Sequence, residues 1–148
     1  MKQINLNSKE EDITINVNVD SEIRGTFVVN EGEVLNLNAV FIHRNRDVKS
    51  DILIKAIVYR GGYFNMNGML KIEKGAKNVD SYLTIRCLLI DETSRARVIP
   101  SLEITEDEVK AGHGATIGYL DRELLDYIKS RGLNESYSKK LLIDSFLS

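Results

Sequence analysis

The sequence predicts a mainly β protein that ends in two helices, and three observations carry this prediction. Runs in which apolar and polar residues alternate fill the first two thirds of the chain, and a period of two is typical of strands with one buried face. Corners rich in Gly, Asn and Asp separate these runs at fairly regular intervals. After residue 118 the apolar residues recur at helical spacing instead.

The strands follow from these runs in order. Residues 1–12 are mostly polar and predict a frayed lead-in. The first faultless alternation covers residues 13–19, whereas the run at 52–59 is apolar at both parities and predicts a strand covered on both faces. Asn67-Gly68 predicts a break between two short strands, and Pro100 an interruption of the last one. The further predicted strands are 27–29, 35–41, 63–65, 69–72, 82–90 and 95–104.

Many short strands with regular corners are typical of a sandwich, a barrel or a β-solenoid, and periodicity does not choose among the three. Asparagine-rich corners and the lack of strong two-residue hairpin signals favour the solenoid. We expect this β core to cover residues 13–118.

Residues 119–148 predict a helical hairpin packed on the end of the β core. Asp121 stands where it can cap the first helix, and Asn134 where it can cap the second. Gly132 between them is a natural residue to follow a helix C-terminus.

Composition excludes several classes of function. The 148 residues carry a formal net charge of −2, so no strong field attracts nucleic acid or anionic lipid. No apolar run has the length of a membrane span, and the N-terminus lacks the apolar core of a signal peptide. The single cysteine, Cys87, excludes an intramolecular disulfide framework. We therefore expect a cytoplasmic protein without nucleic-acid or membrane partners.

His113, between Gly112 and Gly114, is the first candidate for chemistry. An exposed imidazole on a closely approachable backbone suits a ligand or a proton-transfer role. The alternative, which spacing alone favours, is a tight corner where the glycines serve the turn and the ring is merely solvated.

The other candidates are weaker. Glu103 and the acidic residues 106–108 could be hard oxygen ligands or a solvated acidic corner. His43 could be a second ligand or a surface histidine, and Cys87 in an apolar run predicts a buried structural thiol. No nucleotide-binding loop, zinc-spaced cluster, nucleophile elbow or pair of catalytic carboxylates is present, so we do not expect an enzyme.

Several stretches together resemble the C-terminal signature of the SufB/SufD family of iron–sulfur cluster assembly proteins. The resemblance spans roughly residues 43–146, and its succession of motifs is far more specific than any one of them. The central motif is Asp-Glu-Val-Lys-Ala-Gly-His-Gly-Ala-Thr-Ile-Gly at 107–118. The others are Pro-Ser-Leu-Glu-Ile at 100–104, Leu-Asp at 120–121, Tyr-Ile-Lys-Ser-Arg-Gly-Leu at 127–133, and the upstream stretches 43–45, 68–72 and 88–90.

The resemblance implies a right-handed parallel β-helix followed by a helical C-terminal subdomain. It also implies a scaffold on which iron–sulfur clusters are assembled, pairing through its β-helix with a second copy or a SufB/SufD paralogue. The helical subdomain of the family docks an ABC-type ATPase, SufC. The docking residues expected here are Leu124, Tyr127, Arg131, Gly132, Leu133 and Tyr137.

Residue by residue, His113 falls on the histidine of the SufD-type His-Gly-Ala-Thr motif, which the family places at the dimer interface as a candidate cluster or iron ligand. The SufB-like glutamate would stand at Gly114 and is missing. The SufB cysteine falls near Ile85, so Cys87 replaces it only if the register slips. The implied cofactor is a transient iron–sulfur cluster, with none bound permanently.

The chain has fewer rungs than the family, which predicts exposed apolar surface for a companion subunit to cover. The alternative hypothesis is a structural solenoid that binds partners but holds no cluster. The single cysteine and the missing glutamate favour it, because iron–sulfur clusters are usually held by thiolates.

Overall fold

A computed structural model describes residues 1–6 and 11–148 of the chain. They form a parallel β-solenoid of about 4 turns followed by two helices. The strands are β1 (Lys2–Leu6), β2 (Asp12–Asn16), β3 (Ser21–Val29), β4 (Val34–His43), β5 (Lys49–Val58), β6 (Tyr63–Ile72), β7 (Val79–Leu89), β8 (Arg95–Ile104) and β9 (Val109–Tyr119), and the helices are α1 (Arg122–Ser130) and α2 (Glu135–Leu147).

Successive strands alternate between two sheets. One sheet has the order β1-β3-β5-β7-β9 and the other β2-β4-β6-β8, and every pairing is parallel. From β3 onward, equivalent residues recur 29 to 32 positions apart, as in the pairs Asn38–Asn67, Ser50–Ser81 and Tyr63–Arg95. Each turn therefore needs about thirty residues, and the solenoid favoured by the sequence is confirmed.

The core lies between the two sheets, where the inward positions of consecutive turns stack on one another. Phe41 and Phe64 are fully buried there, as are Ile52 and Leu83. Alternation of buried and exposed positions along each strand produces this core, because successive side chains point to opposite faces of a sheet.

One corner of the solenoid depends on two stacked residues with left-handed backbone. Asp47 and Asn78 both have φ of 61°. The Asn78 side-chain amide donates to Asp47 Oδ1 over 2.8 Å, and the Asp47 backbone N–H donates to the Lys77 carbonyl over 2.9 Å. Asn and Asp tolerate this conformation better than other residues with a β-carbon.

Asparagines in the strands form ladders of side-chain hydrogen bonds, and Asn67, for which the sequence predicts a corner, is one of them. Asn67 donates its side-chain amide to Asn38 Oδ1 over 3.0 Å, and Asn38 donates to Asp12 Oδ1 over 3.2 Å. Asn65 likewise donates to Asn36 over 3.2 Å. These exposed ladders run across the outer face of the second sheet and connect successive turns.

The structure differs from the sequence prediction at the N-terminus. Lys2–Leu6 is a strand paired with β3 rather than a frayed lead-in, because Ile4 and Leu6 pack against the core. The rest of the predicted lead-in includes residues 7–10, which lie outside the described residues.

Neither predicted strand break occurs: β6 and β8 are continuous. Gly68 faces the core, where a β-carbon would lie 3.1 Å from Ile85 Cδ1. The glycine therefore leaves space for the Ile85 side chain and does not form a turn. Arg95 and Thr105 donate their backbone N–H groups to the carbonyls of Gly62 and Ile72. The backbone N–H and C=O groups of odd-numbered β8 residues therefore point toward β6, and those of even-numbered residues point away from it. The Pro100 nitrogen therefore points to the open edge, where no hydrogen bond is lost.

The helical hairpin is confirmed. Asp121 Oδ1 accepts from the Leu124 N–H and Asn134 Oδ1 from the Tyr137 N–H, at 3.1 and 2.8 Å. Gly132 follows α1 with φ of 96°. Within the described residues, neither helix has the length and apolarity needed to cross a bilayer.

The C-terminal end of α2 is fixed to the outer face of β5. Lys55 Nζ donates to the carbonyls of Phe146 and Ser148 over 2.7 and 3.1 Å, and the side chains of Lys55 and Arg86 both lie over the Phe146 ring. Lys55 and Ile57 point away from the core and are nevertheless buried. The prediction that residues 52–59 are covered on both faces is therefore confirmed.

Asn78→Ala tests the corner. Alanine must adopt the same positive φ and loses the hydrogen bond to Asp47, so we expect the free energy of unfolding to fall by about 1–2 kcal/mol. Asn78→Gly keeps the conformation and should lose less. Urea unfolding of the three proteins measures the difference, and an alanine variant as stable as the original would contradict this account of the corner.

Candidate functional site

The terminal rung consists of β8 and β9, each of which has one neighbouring strand. The Leu120 N–H donates to the Leu89 carbonyl, and the Asn78 N–H donates to the Glu108 carbonyl. Even-numbered residues of β9 therefore direct their backbone groups at β7. Odd-numbered residues, His113 among them, direct theirs at the open edge of the sheet.

His113 lies in the middle of β9, so the expectation of a glycine corner is wrong. Gly112 and Gly114 are strand residues without positive φ. His113 pairs in register with Leu83, which is fully buried, so its side chain leaves the strand on the core side. The imidazole is nonetheless exposed, because β9 is the last strand that the structure describes.

Other inward positions of the terminal rung are also incompletely covered. Leu102, Ile104, Ile117 and Tyr119 are exposed, although their register partners in β6 and β7 are buried. Among the described strands, none pairs with the open edge of β9, and this apolar end of the solenoid core surrounds that edge. Such an edge is a template for pairing with another strand.

Cys87 is buried, as the sequence predicts, and it lies away from His113. Its register partner in β9 is Ile117, four residues along the strand from His113. Four residues correspond to about 13 Å, so the two side chains do not meet within one chain. Burial raises the pKa of the Cys87 thiol to about 12, which keeps it protonated at neutral pH.

Glu103 points away from His113. It pairs with Lys71 on the outer face of the second sheet, whereas His113 leaves β9 toward the core side. Across residues 1–6 and 11–148, no three His, Cys, Asp or Glu side chains are grouped as a metal site would require. A single chain therefore brings together none of the weaker ligand candidates around His113.

His43 is fully buried, so the surface alternative for it is wrong. Its Nδ1–H donates to the Lys71 carbonyl over 3.3 Å, the tautomer that a carbonyl acceptor requires, and Nε2 accepts from the Ser50 hydroxyl over 2.7 Å. Ser81 in turn lies 2.5 Å from Ser50. Both ring nitrogens are occupied inside the core, which removes His43 from the ligand candidates. Burial lowers its pKa, against the opposing effect of the backbone hydrogen bonds.

The helical hairpin presents a second candidate surface. Tyr127 is 60% exposed and Tyr137 48%, and Leu124 and Leu133 are exposed as well. Arg131 and Gly132 at the turn complete the set of six residues that the family resemblance implies for docking, and all six are accessible. Exposed aromatic and apolar side chains clustered on one element are typical of protein interfaces.

A cleft of about 590 Å³ separates this hairpin from the solenoid. Leu125 and Leu120 form part of its wall, and the charged residues Lys129, Glu135 and Lys139 line its rim.

Comparison with known proteins identifies the family that this chain is similar to. Residues 4–146 match the family described as "SUF system FeS cluster assembly, SufBD core domain". The iron–sulfur cluster assembly protein SufD of Bacillus subtilis is 34% identical over 124 residues, which cover 83% of this chain and 28% of that protein. SufD of Escherichia coli is 32% identical over 116 residues, covering 78% and 27%.

An iron–sulfur cluster assembly SufBD family protein of Mycobacterium leprae is 29% identical over 126 residues, covering 85% of this chain and 14% of that protein. The chain therefore spans less than a third of the length of each of these three relatives.

The buried histidine predicts a pH dependence of stability. The pKa of His43 is below 6.5 in the folded protein, so the unfolded chain binds a proton more readily. The free energy of unfolding should consequently fall as the pH drops below 6.5, until the folded histidine is also protonated. Urea unfolding between pH 8 and 5 measures this slope.

His43→Gln is the matched control, because it removes the titration and keeps a polar group near Ser50. It should flatten that part of the profile. Equal slopes in the original protein and the His43→Gln variant would contradict the assignment.

Proposed function

This chain belongs to the SufBD family of iron–sulfur cluster assembly proteins, and from that premise we propose that it is a scaffold component of SUF-type assembly. The observation that carries the proposal is the open edge of β9, with the accessible His113 at its middle. In this function the chain binds and positions other components and catalyses no reaction of its own.

The open edge of β9 pairs with a strand of another chain. Its odd-numbered backbone groups need partners, and the apolar end of the core gains from being covered. The open edge of β8 is a poorer template, because Pro100 has no N–H to offer there. The partner is a second copy of this chain or a SufB/SufD paralogue, and either would seat a strand beside His113.

Pairing of two copies would bring further ligands close to His113, which a single chain does not provide. If the two β9 strands run antiparallel about a twofold axis near residue 113, the imidazoles of both copies approach the same seam. The iron or iron–sulfur cluster is the cargo of this seam, held transiently by His113 and by ligands of the partner. Cys87 takes no part, because its thiol is buried and protonated.

The hairpin docks a SufC-like ABC ATPase. The exposed side chains of Tyr127, Leu133 and Tyr137 supply the apolar contact, and Arg131 at the turn supplies a charged one. ATP hydrolysis by that partner shifts the two paired scaffolds and opens the seam between them.

A second candidate function is a structural solenoid that pairs and docks partners but holds no cluster. It is favoured by one observation: the described part of one chain groups no three metal-ligating side chains. Anaerobic reconstitution with iron and sulfide separates the two functions, since a cluster absorbs visible light and a structural protein stays colourless.

His113→Ala tests the cluster site. Removing the imidazole should lower the initial rate of cluster formation at least tenfold, without changing the far-ultraviolet circular dichroism of the folded protein. Visible absorption during anaerobic reconstitution measures the rate. Glu103→Gln is the matched control, because Glu103 is exposed on the opposite face of the terminal rung, and it should form clusters at the original rate. An unchanged rate in His113→Ala would remove His113 from the function.

Tyr127→Ala tests the docking surface. Loss of a largely exposed aromatic side chain should weaken binding of a SufC-like ATPase about tenfold or more, which corresponds to roughly 1.4 kcal/mol. Ile99→Ala, which removes an exposed apolar residue from the outer face of β8, should leave the affinity unchanged. Isothermal titration calorimetry measures both, and equal affinities for the two variants would refute docking through the hairpin.

A further inference from the structure

Tyr82 lies across the two glycines that flank His113. It belongs to β7, where it pairs in register with Gly112, and its side chain extends toward Gly114 on the outer face of the sheet. A β-carbon at Gly112 would lie 2.8 Å from Tyr82 Cε2, and one at Gly114 would lie 3.2 Å from Tyr82 Oη. The first distance is shorter than van der Waals contact allows, so the ring occupies the space of the absent side chains.

Glycines weaken a strand because they have no side chain to pack and lose more backbone entropy when ordered. The cost is greatest at an edge, where a strand such as β9 is held by one neighbour. An aromatic side chain from that neighbour compensates by packing on the bare backbone. Tyr82 is 47% exposed, so it is not a core residue, and the close approach to Gly112 is its distinguishing contact.

We infer that Tyr82 is a positioning residue for His113. The ring holds the backbone of residues 112–114 flat against β7 from the outer face, while the imidazole leaves the same segment on the inner face. Tyr82 thereby presents both the His113 side chain and its edge-facing backbone groups in one orientation. The inference gives Tyr82 a role in the proposed function, but its structural part can be tested without any partner or cluster.

The same contact sets what can stand beside His113. A side chain at residue 114 would be tightly placed, because its β-carbon would lie 3.2 Å from Tyr82 Oη and the hydroxyl end of the tyrosine would have to shift. Gly114 pairs with Thr84, so such a side chain would also project to the outer face, away from the imidazole. The segment therefore presents a nitrogen ligand without an adjacent carboxylate.

Hydrogen–deuterium exchange of the dilute protein tests the inference. Tyr82→Ala should raise the exchange rates of the β9 amides that bond to β7 at least tenfold, and leave those of β3 and β5 within twofold. Tyr82→Phe keeps the ring and should restore the original rates. Tyr63→Ala is the matched control, because that tyrosine lies on β6 and contacts the Arg95 side chain of the other terminal strand; it should leave β9 unchanged.

Coupling between ring and glycine gives a second test. Gly112→Ala should expel the ring and raise β9 exchange much as Tyr82→Ala does. The double variant should then exchange no faster than either single variant, because both remove the same contact. Effects that multiply in the double variant, or a phenylalanine variant that behaves like alanine, would overturn the inference.

A readout at His113 distinguishes positioning from general stabilisation. The Cε1–H resonance of His113 in the NMR spectrum should shift or broaden in Tyr82→Ala and return in Tyr82→Phe, while the resonance of the buried His43 stays in place. An unmoved His113 signal would reject the positioning role, even if exchange increased. An unchanged rate of cluster formation in the His113→Ala test would instead reject the proposed role of His113 in cluster assembly and leave this result standing.

Discussion

In a parallel solenoid, the backbone hydrogen bonds of each strand depend on the strands of the neighbouring turns. Each strand satisfies half of its N–H and C=O groups on the preceding turn and half on the following one, so the last strand always carries an unpaired set. In this protein that set belongs to the odd-numbered residues of β9, and His113 is at its centre. The same strand leaves apolar positions such as Ile117 and Tyr119 uncovered. A requirement of folding and a candidate site thus coincide on one strand.

Polar side chains in the core have no access to water, so each of them needs a hydrogen-bond partner within the protein. His43, Ser50 and Ser81 satisfy one another in a chain of hydrogen bonds, and no buried side-chain nitrogen or oxygen within the described residues is left without a partner. Polar groups in a low-dielectric core contribute specificity only when they are fully paired. The two histidines therefore differ in their surroundings. Both ring nitrogens of His43 are hydrogen-bonded inside the core, whereas the His113 ring is exposed at the end of the solenoid.

Alternation and helix caps predicted their elements correctly, whereas the breaks predicted from glycine and proline were wrong because the roles of those residues depend on contacts between turns. Alternation located most strands, and Asp121 and Asn134 capped helices as predicted, because each of these depends on neighbours within four residues. Parallel and antiparallel strands show the same alternation of apolar and polar residues. The sequence pattern therefore favours a solenoid but does not distinguish it from a sandwich or a barrel. The glycines around His113 resemble a turn until Tyr82, thirty residues earlier, is seen to cover them. No local pattern could have identified Tyr82.

Cross-linking across the seam tests most directly whether two copies meet at residue 113. His113→Cys in a Cys87→Ser background places one thiol at the middle of the open edge. Mild oxidation at micromolar concentration should join two chains through residue 113, whereas Lys110→Cys in the same background, on an even-numbered position of β9 near its start, should form far less dimer. A His113→Cys protein that stays monomeric by sedimentation velocity and forms no more disulfide than the Lys110→Cys control would contradict the pairing of two copies at residue 113.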